Sequence, residues 1–554
     1  MTSRPVRLRI HDSLGRVRTL SDGPDAYEYL TEGDALALES PKTILLLGTG
    51  PHPEQALAHP IISNPKDCPK SYAVFWLESP SFLAALRDEG SPVTIPEQWQ
   101  RIEPTQARIQ LPALIREKHP LILAYRQSRR LFPEFWGPLL ATCRMEGEAP
   151  SSAISPEKIP VALLPGGAKD LLHRELEQAL EQEGFFPLPF PVSKTPAEVS
   201  ANLPDLNALL TLLKTRRPAL FLSVNLRGLD PEGQAFHLLR AAGVPVCIWF
   251  VDNPWQILSS LRLPWWKDAI VLTTDATFLP EMRACGVRYA EYMPLAASSF
   301  FLSPPPVLLP QGTRVLFVGR TSFPGKSAFF SAASRHLEWE AEAQDMLRNG
   351  ERPGYHWWKH RIEKERGHTL PSWPGHAARE AGQGAEELAL YNRIMWLEEA
   401  ASLGQNDAPA LTLVGDEGWK DSLSGPAHFL PPVDYYGILP GLYRAAPFTL
   451  DVTSLLLPGG LTQRHFDVWR AGGFLLSATG TGIKLFPSEL VAPISLRRPG
   501  DLVSRVKYLE CFPAYKEELR AAWQREIEQK HLYRHRIQRI LNMAKMLDGS
   551  LPRV

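Results

Sequence analysis

The chain has 554 residues with 60 Lys and Arg against 60 Asp and Glu, so its formal net charge is zero. That length exceeds what one hydrophobic core supports, and three domains is the natural prior; the charge balance removes any global electrostatic case for nucleic acid or an anionic membrane as partner. Cys68, Cys143, Cys247, Cys285 and Cys511 lack C-x-x-C spacing, and the amino terminus lacks the apolar core of a signal peptide. No apolar run reaches the ~20 residues of a membrane helix, so the chain reads as a soluble cytoplasmic protein.

Short apolar strands alternate with amphipathic helices, punctuated by 52 prolines, which is the pattern of parallel α/β domains. The first domain spans about 1–150. Val6 to Arg18 alternates like a small hairpin, and a buried strand from Ile44 to Leu47 runs into Gly48-Thr49-Gly50. A second strand, Tyr72 to Leu77, ends at Glu78, and an acid in that place commonly meets a ribose. Two readings stand: a cofactor pocket at Gly48, Gly50 and Glu78, or a degenerate Rossmann-like domain kept for docking. The strand Leu121 to Tyr125 and a helix around Phe132 to Leu140 complete the unit, and EGEAPSSAISPEKIP marks its boundary.

The pattern restarts in a second domain, about 156–302, with the strand Val161 to Leu164, the turn Pro165-Gly166-Gly167 and a helix from Lys169 to Glu183. Strands follow at 185–190, 219–224, 246–251 and 269–273. The run VCIWFVDNPWQ delivers Asp252 and Asn253 at a strand's carboxyl end, where open α/β sheets place ligands. Asp252 there either orients a substrate hydroxyl or caps the next helix. Four prolines stiffen the linker Ser303 to Gln311.

The third domain, about 312–530, opens with the strand Arg314 to Val318 and the loop GRTSFPGK. A charged, Trp-rich, helical insertion covers 331–403. HWWKHR interleaves aromatics with cations, but balanced acids on both sides argue against nucleic acid. His356 and His360 stand four apart with no third ligand, so no metal site is read there. The chain is organised around PFTLDVTSLLLPGGLTQRHFDVWRAGGFLLS: a strand, a Pro458-Gly459-Gly460 turn, a helix with Arg464 and Asp467, and a second strand. Such a strand–glycine loop–helix unit is a ready anion cradle. One helix from about Ala514 to Met546 closes the chain, its crossover part at 531–554.

TQRHFDVWRAGGFLLS, IKLFPSELV and KHLYRHRIQRIL resemble the carboxy-terminal half of the CgeB-like glycosyltransferases, and VCIWFVDNPWQ resembles a signature of their amino-terminal half. The resemblance spans about 156–546. It implies an α/β chain in a GT-B fold, two Rossmann-like lobes facing a cleft, here with an additional methyltransferase-like amino-terminal domain. It implies a nucleotide-sugar donor, UDP-linked, held by the third domain without a metal. Arg320 and Lys326, beside Gly319, would hold the diphosphate; the Gly415 to Trp419 turn would hold the base. Arg464 and Asp467 match the family's R-x-F-E pattern, with Asp where the family has Glu, and Asp467 would hold the ribose. Asp252 would act on the reaction side, with Asn253, Gly166 and Gly167 facing the acceptor. Transfer would retain configuration, and a protein such as flagellin is the acceptor expected by analogy. Nucleic acid is not expected as a partner. The rival readings are an S-adenosylmethionine-dependent methyltransferase working through the first domain, and a non-catalytic nucleotide-binding scaffold.

Overall fold

The computed structural model describes residues 8–30, 43–59, 72–146, 159–192, 203–404, 408–478 and 480–548. Most of the boundary read at EGEAPSSAISPEKIP, and Cys68, lie outside them.

In the first domain β1 (Arg9–His11) and β2 (Val17–Thr19) form the expected hairpin. A five-stranded sheet follows, made of β3 (Tyr27–Tyr29), β4 (Thr43–Leu47), β5 (Ala73–Leu77), β6 (Gln100–Arg101) and β7 (Leu121–Tyr125) in the order β3-β7-β4-β5-β6. Only β3 runs antiparallel, against β7. β4 and β7 are uniform apolar runs because helices and loops cover both their faces. The helix α1 (Pro133–Glu146) fills the core with Trp136, Leu139 and Leu140, then turns its other side to the second domain.

The second domain carries β8 (Val161–Leu164), β9 (Phe186–Pro189), β10 (Leu220–Val224), β11 (Val246–Phe250), β12 (Ile270–Thr273) and β13 (Tyr289–Tyr292), all parallel, in the order β13-β12-β11-β10-β8-β9. Successive side chains alternate faces. Leu222, Val224, Cys247, Trp249 and Leu272 therefore join one core with α2 (His173–Gln182), while Phe221, Ile248, Phe250 and Val271 join another with α3 (Gln234–Ala241) and α4 (Pro254–Leu258).

The third domain has β14 (Val315–Val318), β15 (Leu411–Val414), β16 (Ala427–Leu430), β17 (Phe448–Val452) and β18 (Leu475–Ala478), again parallel, ordered β16-β15-β14-β17-β18. Between β14 and β15 the insertion forms α5 (Leu337–Arg348), α6 (Tyr355–Arg366) and α7 (Ala377–Ala401). It is no free excursion. Tyr355, Trp358, Ile362, Trp373 and Ala381 share one core with Trp255, Trp266 and Phe278 of the second domain, whereas Trp396, Leu397 and Ala400 join the core of the third. At 1.5 Å per residue α7 runs roughly 37 Å, long enough to bridge the two. The Trp-rich run HWWKHR is thus a packing face: Trp358 is 1% exposed.

The single closing helix expected from about 514 to 546 is two, α11 (Pro513–Lys530) and α12 (Tyr533–Asp548), preceded by α10 (Asp501–Cys511). The break at His531-Leu532 occurs because Leu532 pairs, strand-like, with Ala297, whose N–H donates to the His531 carbonyl at 2.7 Å. Arg536 then donates to the Pro294 carbonyl at 2.9 Å and the Leu295 carbonyl at 3.0 Å, and α12 packs on α2 of the second domain. Two parallel-sheet lobes with apposed carboxyl edges and a last helix that crosses back between them make a GT-B architecture, with an extra α/β domain in front.

Candidate active site

The two carboxyl edges meet directly. Asn253, following β11, donates from Nδ2 to the Leu456 carbonyl at 2.9 Å, and the Gly459 N–H donates to Asp275, following β12, at 2.8 Å. A Cβ at Gly459 would lie 2.7 Å from Asp275 Oδ1, so glycine is required for that approach. The anion cradle expected at Pro458-Gly459-Gly460 is therefore filled in part by a carboxylate of the opposite lobe. Asp275 is further held by the Thr277 N–H at 2.8 Å and the Thr277 hydroxyl at 2.6 Å.

On the second-domain side, Gly166 has φ +112, and Gly167 donates to Asp170 at 2.8 Å in the loop after β8. Asn225 and Leu226, after β10, adopt left-handed backbone (φ +51 and +67), a strained pair for residues with a Cβ. The strain positions Asn225 to accept from the Val251 N–H at 3.0 Å and donate to Asp252 at 2.7 Å. Asp252 is open to solvent in the cleft, and the protein packed around it raises its pKa by desolvation. It is Asn253, not Asp252, that caps α4, accepting from the Trp255 and Gln256 N–H groups. Asp252 takes no part in that cap.

On the third-domain side, the loops after β14 and β15 interlock. A Cβ at Gly415 would run into the Gly319 carbonyl, the same oxygen that accepts from Trp419 Nε1 at 2.8 Å. Trp419, on the short helix α8 (Gly418–Ser422), is fully buried against Phe317, so its indole is taken up in packing. Asp416 clasps the loop through the Thr321 N–H at 2.8 Å and hydroxyl at 2.7 Å, bonds that lower its carboxyl pKa against the opposing effect of burial. Lys326 is paired with Glu387 at 2.9 Å. Arg320 is exposed and, among the described residues, has no side-chain partner; its carbonyl is held by Arg393 at 2.8 Å. Arg393, on the insertion helix α7, fits no loop motif and only the fold brings it here.

The helix α9 (Arg464–Arg470) starts behind this cleft. Arg464 pairs with Asp451 and donates to the Val318 carbonyl at 2.9 Å, joining β17 to the exit of β14. Asp451 is fully buried, and despite that burial Arg464 and His465 hold its carboxyl below the usual range. Asp467 is 1% exposed and committed on both oxygens: Oδ1 accepts from the Ser298 N–H at 3.0 Å and Oδ2 from the Tyr435 hydroxyl. Desolvation pushes its pKa to about 8. In this structure Asp467 ties the interdomain segment to the third lobe and does not line the cleft surface. Asp451, Asp275 and Arg393 were not singled out in the sequence; an acid inside an apolar strand, as at Asp451, is the signal that marks the first.

In the first domain Glu78 sits at the carboxyl edge of β5, but its oxygens accept from Thr49 N–H and Ser79 N–H, each at 2.7 Å, and from the Thr49 hydroxyl at 3.1 Å. Burial raises its pKa to about 7. Space above the turn is taken by the chain itself: a Cβ at Gly48 would strike Ser128, one at Gly50 would lie 2.8 Å from the Tyr27 hydroxyl.

Residues 393–542 match the model of a family described as glycosyl transferase-like. The match begins at Arg393 and takes in Gly415, Trp419, Asp451, Gly459, Arg464 and Asp467. No curated protein sequence matches the chain. Solved structures with a similar outline include a glycosyltransferase from Rickettsia africae ESF-5 (8% identity, 71% of this chain and 99% of that one, TM-score 0.37), Anabaena Alr3699/HepE in complex with UDP (11%, 70% and 100%, 0.37) and T4 phage BGT in complex with UDP-glucose (9%, 71% and 97%, 0.34). Among the described residues no group of three or more His, Cys, Asp or Glu is placed to hold a metal ion, and no helix is long and apolar enough to cross a membrane.

Proposed function

We propose that the protein is a nucleotide-sugar-dependent glycosyltransferase. The observation that carries this reading is the glycosyl transferase-like match over 393–542, whose strands end in the same cleft as Asp252. The donor lies on the third lobe. Arg320, exposed and unpaired among the described residues, and Lys326, released from Glu387, hold the diphosphate in the role a metal ion fills elsewhere. The interlocked backbone around Gly319 and Gly415 takes the base of a UDP-linked donor. Arg464 fixes the exit of β14, and Asp467 acts from behind as a positioning residue rather than on the ribose.

Asp252 orients the acceptor hydroxyl, steadied by Asn225, and Asn253, Gly166 and Gly167 shape the acceptor side. A protein acceptor, flagellin-like, and retention of configuration extend the reading by analogy to the family that the sequence resembles. The methyltransferase alternative is disfavoured by the way Tyr27, Tyr125 and Ser128 fill the turn at Gly48 and Gly50.

The test is calorimetry and thermal shift with UDP, GDP, CMP, TDP and S-adenosylmethionine on wild type and Arg320→Ala. A nucleoside diphosphate at a hundred times its Kd stabilises the wild type by about 2.7 kcal/mol, and Arg320→Ala abolishes the response. Binding of S-adenosylmethionine alone would sink the proposal; binding without turnover of UDP-sugars would favour the scaffold.

A further inference from the structure

The loop between α5 and α6 places one cation that the Rossmann framework does not supply. Arg352 donates from Nη1 to the Ala478 carbonyl at 3.1 Å, and from Nη2 to the Thr453 carbonyl at 3.0 Å and hydroxyl at 2.7 Å. These oxygens end β18 and β17, at the carboxyl edge where open sheets receive ligands. Among the described residues Arg352 forms no ion pair, and its Nε, shielded from solvent, has no hydrogen-bond partner. Asp451, the acid whose charge acts on it, is already paired with Arg464. Burial without a counter-ion pulls the Arg352 pKa down to about 10. An uncompensated cation, even a partly buried one, is costly unless something else supplies the charge.

Its surroundings are built for close approach. A Cβ at Gly480 would run into the Pro458 carbonyl, and one at Gly482 into the Gly459 carbonyl, so the loops after β17 and β18 lie face to face. Arg352 Nε is 3.7 Å from the position of a Gly480 Cβ. The insertion is seated on the same loops: the Tyr355 N–H donates to the Leu455 carbonyl at 2.9 Å, and His356 meets the Thr277 hydroxyl at 2.9 Å, beside Asp275. The side chain itself remains partly exposed.

We propose that Arg352, beside the glycine loop at Gly480–Gly482, forms an oxyanion subsite in the cleft. Its ligand is an oxyanion of the donor: a phosphate of the nucleoside diphosphate, or a carboxylate on the transferred sugar. The assignment rests on the glycosyltransferase reading and adds a group supplied by the insertion.

Calorimetry on the full chain decides it, with uridine, UDP, UDP-glucose, UDP-glucuronate and inorganic pyrophosphate against wild type, Arg352→Met and Arg352→Lys. The expected result is a UDP-to-uridine affinity ratio at least tenfold smaller in Arg352→Met, and pyrophosphate weakened in parallel, if the phosphate is the ligand. If the carboxylate is, UDP is unchanged and the preference for UDP-glucuronate over UDP-glucose collapses. Arg352→Lys keeps the charge and recovers part of either effect, whereas a merely structural role lowers the unfolding temperature and leaves both ratios unmoved. Unmoved ratios in a folded Arg352→Met that still needs Arg320 for UDP overturn the subsite alone. A wild type that binds no nucleoside diphosphate fails the glycosyltransferase reading, and the subsite then stands or falls on pyrophosphate, its loss in Arg352→Met being required.

Discussion

Asp467 shows how far a residue's chemistry depends on what surrounds it. On a surface helix it would be an ordinary ionised acid; enclosed by Ser298, Tyr435 and Gln463 its pKa rises to about 8 against 3.8 for the free side chain. The folded state thus holds a proton that the unfolded chain releases, so this group's contribution is complete below pH 3.8 and is lost as pH rises through 8. Asp467→Asn keeps an acceptor for Ser298 and removes the titration. Thermal unfolding from pH 5 to 9 is expected to show the wild type losing stability toward alkaline pH more steeply than Asp467→Asn; parallel curves would refute the assignment. Arg320 and Lys326 are equally legible as cations after a strand, but only the fold shows that Glu387 already holds the lysine.

The insertion makes the same point for an element. Its helical character is written in its composition, and its destination is not. Trp358 and Trp373 bury against Trp266 and Phe278, residues about a hundred positions earlier in the chain, and Trp373 Nε1 donates to the Leu261 carbonyl at 3.1 Å. Trp358→Ala is expected to cost about 3–5 kcal/mol, measured by urea unfolding, with insertion and second domain losing structure in one transition. The glycine loops make a second case. Gly482→Ala must push the Gly459 carbonyl away, so it is expected to weaken UDP binding with the sheets intact by circular dichroism.

At the scale of the whole molecule, polar links close the lobes on each other from both sides of the cleft. Asp275 to Gly459 and Asn253 to Leu456 cross the cleft, while Arg536 and the Ala297–Leu532 pairing hold its back. Asp275→Ala removes a carboxylate from a loop N–H and is expected to open the cleft, read as a larger radius of gyration in solution scattering and faster proteolysis of 453–460. An unchanged profile would mean that the remaining links, at the back of the cleft and through the insertion, set the closure. The first domain docks elsewhere, α1 against α3, with Gly137 so close to the His237 ring that no Cβ fits.

Local periodicity and turn residues by themselves determined most of the strands and helices and the loops that edge the cleft. That information is carried by neighbours in sequence: alternating or continuous apolar runs, and the Gly and Pro that end them. The break at His531-Leu532 was invisible because its cause, Ala297, is more than two hundred residues away. For the same reason the sequence could not say that Asp467 is enclosed, that Trp419 is buried, that Asp275 occupies the glycine loop, or that Arg352 reaches β17 and β18. Those outcomes turn on which distant groups share a dry environment and which charges are already paired, and tertiary packing alone decides that.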